Sequence, residues 1–385
     1  MEDKSVLTKI TALLRVFAAV DRRYRALRLP LRSMADLDRL PVMNRADLKA
    51  YAFKYPSVDA FNITATSGST SSRLLIAHSR VAYQVHLRRL AKIYRAIGAG
   101  PGALCLNLCS YDLNSGGRLM EAGYKVAGAG VIPLGRLSSS GDIEDAVRLV
   151  RALKPAIVNA YTNQLPDLFG ALGRKHSIKT CVVNGELLWP SYRVRIEKMA
   201  GVRVHDHYGA MEVSGFAIAR RPDDTHMTVF PDGLLLEVQR EDGVIAQEGT
   251  GDLLVTDLEN TCMPFIRYRL GDRVELIRRG RGLAVRVLSR TEDSFLVNGV
   301  VVMKSMLVRA INDLLGHPRF SFALVKDPVT YKDTLTVHVP PEDQARAGVV
   351  AEGLIRVAGI DRCVRVKTLG GDLLRMPNGK IRYFL

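Results

Sequence analysis

His205-Asp206-His207-Tyr208-Gly209-Ala210-Met211-Glu212 follows an apolar run with strand character and places a ring, a turn glycine and a carboxylate within five residues. These residue types can build a nucleotide site. Tyr208 offers a flat face on which a base can stack, Gly209 lets the backbone approach a ligand, and Glu212 supplies oxygen for a magnesium ion bridging phosphates. An ordinary turn at a strand end uses the same residues, so the segment takes its meaning from the others.

Thr64-Ala65-Thr66-Ser67-Gly68-Ser69-Thr70-Ser71-Ser72-Arg73 is a run of small hydroxyl residues around a glycine, ahead of an apolar strand-like run. Its amides and hydroxyls can wrap phosphate oxygens, with Arg73 supplying charge. A flexible serine-rich loop is the alternative, and the strand-to-helix P-loop is excluded because Gly-Lys-Ser/Thr is absent. Pro264-Phe265-Ile266-Arg267-Tyr268-Arg269-Leu270-Gly271-Asp272 ends in an aspartate at a tight turn, where two oxygens can accept both ribose hydroxyls. A salt-bridged hairpin would look the same. In Arg375-Met376-Pro377-Asn378-Gly379-Lys380 the lysine follows an Asn-Gly turn and either reaches into a cleft or lies in solvent.

The elements that must position these groups alternate along the chain. Residues 5 to 28 have helical spacing, with Leu7, Leu13, Leu14, Phe17 and Ala18 on one face, and Asn44 suits the cap of a helix opening at Arg45. From about 60 to 208, strand, glycine-rich turn and helix repeat, which predicts a mostly parallel sheet flanked by helices. Ligands of such sheets bind beyond the carboxyl ends of strands. His205 to Glu212 and Asn184-Gly185-Glu186 both stand at such ends. Residues 213 to 289 change to short alternating runs, a β-rich subdomain, and a small α+β unit follows. The expected fold is α/β, with a large domain over 1–289 and a small mobile C-terminal domain over 290–385. A hinge of a few residues near Arg290 to Asp293 would join them.

Composition bounds the partners. The chain has 385 residues, with 55 lysines and arginines against 39 acidic residues and a net charge of +16, which favours anionic partners. The basic residues are scattered without an aromatic platform, which argues against nucleic acid. Arg80, Arg88, Arg89, Lys92 and Arg95 would make a solvated helix face. Cys105, Cys109, Cys181, Cys262 and Cys363 are widely spaced, as buried reduced thiols of a cytoplasmic protein would be. Charges interrupt the apolar N-terminal helix, unlike a signal peptide or membrane span. A homodimer is compatible with this composition.

Taken in order, Thr66 to Arg73, Tyr208 to Glu212, Arg267 to Asp272, Ser289-Arg290-Thr291-Glu292, Asn298-Gly299 and Gly379-Lys380 resemble the adenylate-forming superfamily over nearly the whole chain. The resemblance is to its phenylacetate–coenzyme A ligase branch. Leu40-Pro41 with Asn44 to Leu48, the substrate-loop-like Tyr111-Asp112-Leu113-Asn114-Ser115-Gly116-Gly117, and Pro264 to Arg269 carry that finer likeness. It implies ATP and coenzyme A as co-substrates and Mg2+ as cofactor, with an acyl-adenylate between two half-reactions. Ser67, Gly68, Ser69, Thr70 and Arg73 would hold phosphates. Tyr208 and Gly209 would lie against adenine, Gly185 and Glu186 beside the nucleotide, and Glu212 on magnesium. Asp272 and Arg290 would contact ribose and its neighbours, and Lys380 would bridge charge developing during adenylation. Glu292, where the family usually has aspartate, would be the hinge. Tyr111, Asn114, Asn184, Ala210 and Met211 would line the acid pocket.

The departures from the family pattern narrow the reading. Ser71-Ser72-Arg73 replaces Gly-Lys-Pro in the phosphate loop, and Ala210-Met211 replaces smaller or hydroxyl-bearing residues. Only His226 and Cys262 could serve a zinc clip in the β-rich part, so no zinc is expected. Asn114 stands where phenylacetate ligases tend to have an aromatic residue, which points to an acid with a polar substituent or to an amide that only fixes its loop. Transfer to an amine, an amino acid or a carrier protein would leave the same marks as transfer to coenzyme A. A catalytically impaired nucleotide-binding protein is the alternative from another class.

Overall fold

In the computed structural model of the chain, the described residues are 3–51, 59–65, 74–113, 116–185, 188, 190–221, 224–290, 294–297, 300–326, 333–358 and 364–368. The single helix expected over residues 5 to 28 is two, α1 (Asp3–Ala18) and α2 (Arg22–Arg25). Asp21 separates them, its carboxylate accepting from the Arg23 amide at 2.8 Å to cap α2. α3 (Arg45–Tyr51) starts as expected. Asn44 Oδ1 accepts from the amides of Ala46 and Asp47 at 2.8 and 3.1 Å, and Asp47 returns the bond to the Asn44 amide at 2.9 Å.

The chain continues through β1 (Ala60–Ala65), β2 (Leu75–Ser79), α4 (Arg80–Arg95), β3 (Leu104–Asn107), α5 (Gly116–Ala127), β4 (Gly130–Ile132), α6 (Ser140–Leu153), β5 (Ile157–Tyr161), α7 (Leu165–Leu172), β6 (Thr180–Asn184), α8 (Pro190–Ala200) and β7 (Arg203–Ala210). The β-rich stretch follows as β8 (Ser214–Ile218), β9 (Met227–Val229), β10 (Leu234–Gln239), β11 (Ile245–Ala246), β12 (Gly249–Asp257), β13 (Tyr268–Arg279) and β14 (Gly282–Arg290). The last stretch holds β15 (Ser294–Val297), β16 (Val300–Met303), α9 (Lys304–Leu315), β17 (Ser321–Lys326), β18 (Asp333–Val339), α10 (Ala347–Ala358) and β19 (Val364–Thr368).

Two compact units emerge. The first comprises Met1–Cys105, Ser110–Pro133 and His207–Leu288. Its later strands pair antiparallel, β8 with the His207–Ala210 part of β7, β9 with β8 and β14, and β12 with β10 and β13. β1 and β2 form an antiparallel hairpin with Ala65 opposite Leu75, so the strand–helix alternation expected from residue 60 does not begin there. Two apolar clusters fill this unit. One gathers the α1 face (Leu7, Ile10, Leu14, Phe17) with Met43, Phe265 and Tyr268, and the other gathers Phe216, Leu236, Val255, Val274 and Val285 from the β-rich stretch.

The second unit comprises Leu106–Cys109, Leu134–Asp206 and Ser289–Leu385. Here the alternation is realised. β6 pairs in parallel with β5 and with the Arg203–Asp206 part of β7, and β5 is fully buried, as strands covered on both faces must be. In its C-terminal part β17 pairs antiparallel with β18, and β18 parallel with β19. α9 and α10 pack Leu307, Ile311 and Leu354 onto Phe322, Leu335 and Val337.

Candidate functional site

In the first unit, β7 reaches Tyr208 and then breaks register with β8, between Tyr208 and Gly209. A bulge re-aims the side chains beside it. At Gly209 a Cβ would lie 2.4 Å from the Cα of Gly215, so the two strands touch where only glycine fits. The Tyr208 ring stands edge-on to Phe216, centroids 4.9 Å apart, and its hydroxyl donates to Asp272 Oδ2 at 2.8 Å. Asp272 is buried on β13, directly after Gly271 at φ +88°. Glu212, 7% exposed, accepts from the Tyr268 hydroxyl at 3.3 Å. The backbone therefore brings Tyr208, Glu212 and Asp272, three residues singled out from the sequence, into one group with Tyr268. Tyr268 carries no role in the sequence reading; it stands four residues before Asp272 on the same strand.

The carbonyl of Glu212 accepts from His78 Nε2 at 2.9 Å. A carbonyl only accepts, so that nitrogen carries the proton. Burial holds the His78 imidazole neutral by pushing its pKa down to about 4. His78 meets His86 edge-on at 4.9 Å, and His86 Nε2 donates to Asp257 Oδ2 at 3.0 Å. Burial lowers the His86 pKa as well, against the opposing pull of Asp257.

Two arginine readings change. Arg89 does not belong to a solvated helix face: it is fully buried, because its guanidinium is drawn inward by the carbonyls of Gly215, Asp232 and Val213, to which it donates. Arg267 follows the salt-bridged alternative. It is 2% exposed and forks onto Glu237 at 3.0 and 2.8 Å, with a third bond to the Leu37 carbonyl at 2.5 Å. Arg269 pairs with Asp252 at 3.2 Å.

The hydroxyl run begins at Thr64 and Ala65, the last residues of β1, and β2 follows it in sequence. The Ala65 amide at its stem donates to the Leu113 carbonyl at 3.0 Å, which joins that stem to the segment carrying Tyr111. Ser67, Gly68, Ser69, Thr70, Arg73, Asn114, Glu186, Glu292 and Lys380 lie outside the described residues. For Arg290 the backbone alone is described, as the last residue of β14.

In the second unit, Asn184 ends β6 and Gly185 follows at φ +82°. Asn184 Nδ2 donates to Asn159 Oδ1 at 2.8 Å, and Asn159 Nδ2 donates to Asn107 Oδ1 at 2.8 Å, a buried amide ladder across three strands. Asn107 and Asn159 had no sequence signal beyond being polar residues within apolar strands. On β7, opposite Val183 of β6, burial pushes the Asp206 carboxyl up to about 7, against the pull of Arg193.

The donor chemistry of the group in the first unit fits magnesium. Glu212 presents one buried carboxylate, and magnesium is commonly held by one or two carboxylates together with substrate phosphates. Among the described residues no group of three or more His, Cys, Asp or Glu side chains gathers to hold a metal ion. His226 is engaged with Glu275 at 2.9 Å, and Cys105, Cys109, Cys181 and Cys262 are buried and form no disulfide among the described residues. Among the described residues, no helix is long and apolar enough to cross a membrane.

No family model matches the chain. In sequence it is 26% identical over 310 residues to the phenylacetate–coenzyme A ligase of Thermus thermophilus, a match spanning 74% of this chain and 68% of that protein. It is 27% identical over 298 residues to the phenylacetate–coenzyme A ligase of Escherichia coli, spanning 73% and 67% respectively. In fold it matches 2-hydroxyisobutyryl-CoA ligase in the postadenylation state, with a TM-score of 0.82 at 20% identity, over 100% of this chain and 89% of that one. An anthranilate CoA ligase in complex with anthranoyl-AMP matches with a TM-score of 0.59 at 16% identity, over 83% and 66%. The chain is thus similar in sequence to phenylacetate–coenzyme A ligases, and its mixed α/β fold is that of adenylate-forming ligases.

Proposed function

We propose that this chain, carrying the fold of the adenylate-forming ligases, is an ATP-dependent, AMP-forming acid–thiol ligase of the cytoplasm. Its substrate is a small aromatic carboxylic acid with a polar substituent, which it activates as an acyl-adenylate and transfers to coenzyme A. The observation that carries this reading is the hydrogen bond from Tyr208 to Asp272, with Glu212 and Tyr268 beside it. The two bonds join a ring to a ribose-type acceptor 64 residues away and a magnesium-type carboxylate to a tyrosine 56 residues away.

In the first half-reaction a carboxylate oxygen of the acid attacks the α-phosphorus of ATP, the new O–P bond forms, and pyrophosphate leaves. Tyr208 stacks on the adenine, and Asp272, already oriented by the Tyr208 hydroxyl, accepts from the ribose. Glu212, oriented by Tyr268, is the residue that would hold magnesium, which supplies charge neutralisation at the phosphates. Ser67 to Thr70 and Arg73 hold the phosphates, and Lys380 meets the charge that develops as the bond forms. In the second half-reaction the thiolate of coenzyme A attacks the acyl carbon, the thioester forms, AMP leaves, and the thiol proton passes to solvent. Rotation about Glu292 withdraws Lys380 between the two steps. Asn114, with Tyr111, Ala210 and Met211, selects the acid.

Carboxylate-dependent exchange of labelled pyrophosphate into ATP, run over a panel of aromatic and aliphatic acids, tests the adenylation. Absence of exchange with every acid would refute it. Product analysis with coenzyme A, amines and a carrier protein then identifies the acceptor, and an amide product would replace the thiol-ligase assignment.

A further inference from the structure

The turn that follows Tyr208 is gripped at more points than a strand connection requires. His78 on β2 donates to the Glu212 carbonyl at 2.9 Å. Arg89 on α4 donates to the Val213 carbonyl through Nη2 and to the Gly215 carbonyl through Nε at 3.0 Å. Between those two carbonyls stands Ser214 at φ +66°, its buried hydroxyl without a hydrogen-bond partner among the described residues. Left-handed backbone is unfavourable for a residue with a Cβ, and it persists only where the surroundings impose it.

The imposing group is itself expensive to place. A fully buried guanidinium requires satisfied donors, and Arg89 meets that demand with three main-chain carbonyls, two of them in this turn. Asp257, fixed by His86 at 3.0 Å, supplies negative charge nearby. The whole arrangement converges on the backbone that displays Tyr208 and Glu212.

We propose that Arg89 and His78 are positioning residues for the nucleotide. They hold Glu212–Gly215 in the backbone conformation that sets the Glu212 carboxylate against Tyr268 and the Tyr208 hydroxyl against Asp272. They touch no substrate and act through Glu212 and Tyr208. The inference rests on the nucleotide assignment made under the proposed function.

The test compares His78→Phe, which keeps ring and volume but removes the donor, with His78→Gln, which restores an N–H, and with Arg89→Lys, which keeps charge but loses the planar fork. Calorimetric binding of ATP with magnesium is measured beside pyrophosphate exchange, on protein whose folded fraction is checked by circular dichroism. His78→Phe and Arg89→Lys are expected to weaken ATP binding and raise its KM by about tenfold, with His78→Gln within about threefold of the parent. Folded His78→Phe and Arg89→Lys with unchanged affinity and KM would overturn the proposal, as would His78→Gln behaving like His78→Phe. If Arg89→Lys does not fold, the two His78 variants decide. If the parent binds ATP but exchanges no acid, the ligase reading fails alone and the affinity ratios still judge the positioning role. A parent that binds no ATP overturns both.

Discussion

The Tyr208 hydroxyl donates to Asp272 Oδ2 at 2.8 Å, so the ring proposed for the base and the carboxylate proposed for the ribose constrain each other directly. Each is oriented through the other, which lowers the ordering cost of ligand binding.

Tyr208→Phe keeps the ring and removes this bond. Loss of one hydrogen bond to a charged acceptor is worth about 1.5–3 kcal/mol, so KM for ATP in pyrophosphate exchange is expected to rise by roughly tenfold or more. An unchanged KM would show that the bond does not prepare Asp272 for a ligand.

Ser214→Gly removes both the Cβ held at φ +66° and the buried hydroxyl. Relief of about 1–3 kcal/mol of backbone strain outweighs the roughly 0.5–1 kcal/mol that glycine loses in chain entropy. Urea unfolding is expected to show a gain of about 1 kcal/mol, and a loss would mean that the turn is not strained.

Arg267→Met strands the buried Glu237 carboxylate and the Leu37 carbonyl, for an expected loss of about 3–5 kcal/mol. Arg269→Met, at a partly exposed pair, is expected to cost under about 1 kcal/mol. Similar unfolding midpoints for the two variants would contradict the burial argument.

Burial lowers the His78 and His207 pKa values from the ordinary 6.5 to about 4. Between those values the unfolded chain binds the extra proton, so this stability is fully present above pH 6.5 and is lost as pH falls towards 4. The slope is at most about 1.4 kcal/mol per pH unit for each histidine. Asp206, raised to about 7, works in the opposite sense: its contribution is present at low pH and is lost as pH rises through 7. His78→Gln should flatten the fall in thermal midpoint between pH 6.5 and 4.5, and an unaltered slope would count against a neutral buried imidazole.

Lys380→Ala is expected to slow adenylation by orders of magnitude while sparing thioester formation from preformed adenylate. Equal loss in both half-reactions would contradict the withdrawal of Lys380 between steps.

Tyr208, Glu212 and Asp272 stand out in the sequence by residue type and order, and the structure brings them together. The β-rich stretch from Ser214 and the alternation through β5, β6 and β7 were legible from periodicity. What escaped was set by tertiary context. A charge on an amphipathic helix defaults to solvent, and nothing local shows that Arg89 faces three carbonyls. The β1–β2 hairpin was hidden because its connection is a serine-rich run rather than a compact turn signal. The contacts of Asn107, Asn159 and Asn184 depend on strand neighbours that no single strand encodes.

The amide ladder also bears on how the protein ages. Asn184 precedes Gly185, the context in which a flexible main-chain nitrogen most readily attacks the side-chain amide and expels ammonia. In this structure Asn184 Nδ2 is buried and committed to Asn159 Oδ1 at 2.8 Å, which restrains the side chain from cyclising. Deamidation would replace that donor with a carboxylate facing an acceptor, and the repulsion would pass along the ladder towards Asn107. The lifetime of the β6 end is therefore governed by how often the strand opens, and chemical damage there becomes a clock for local unfolding.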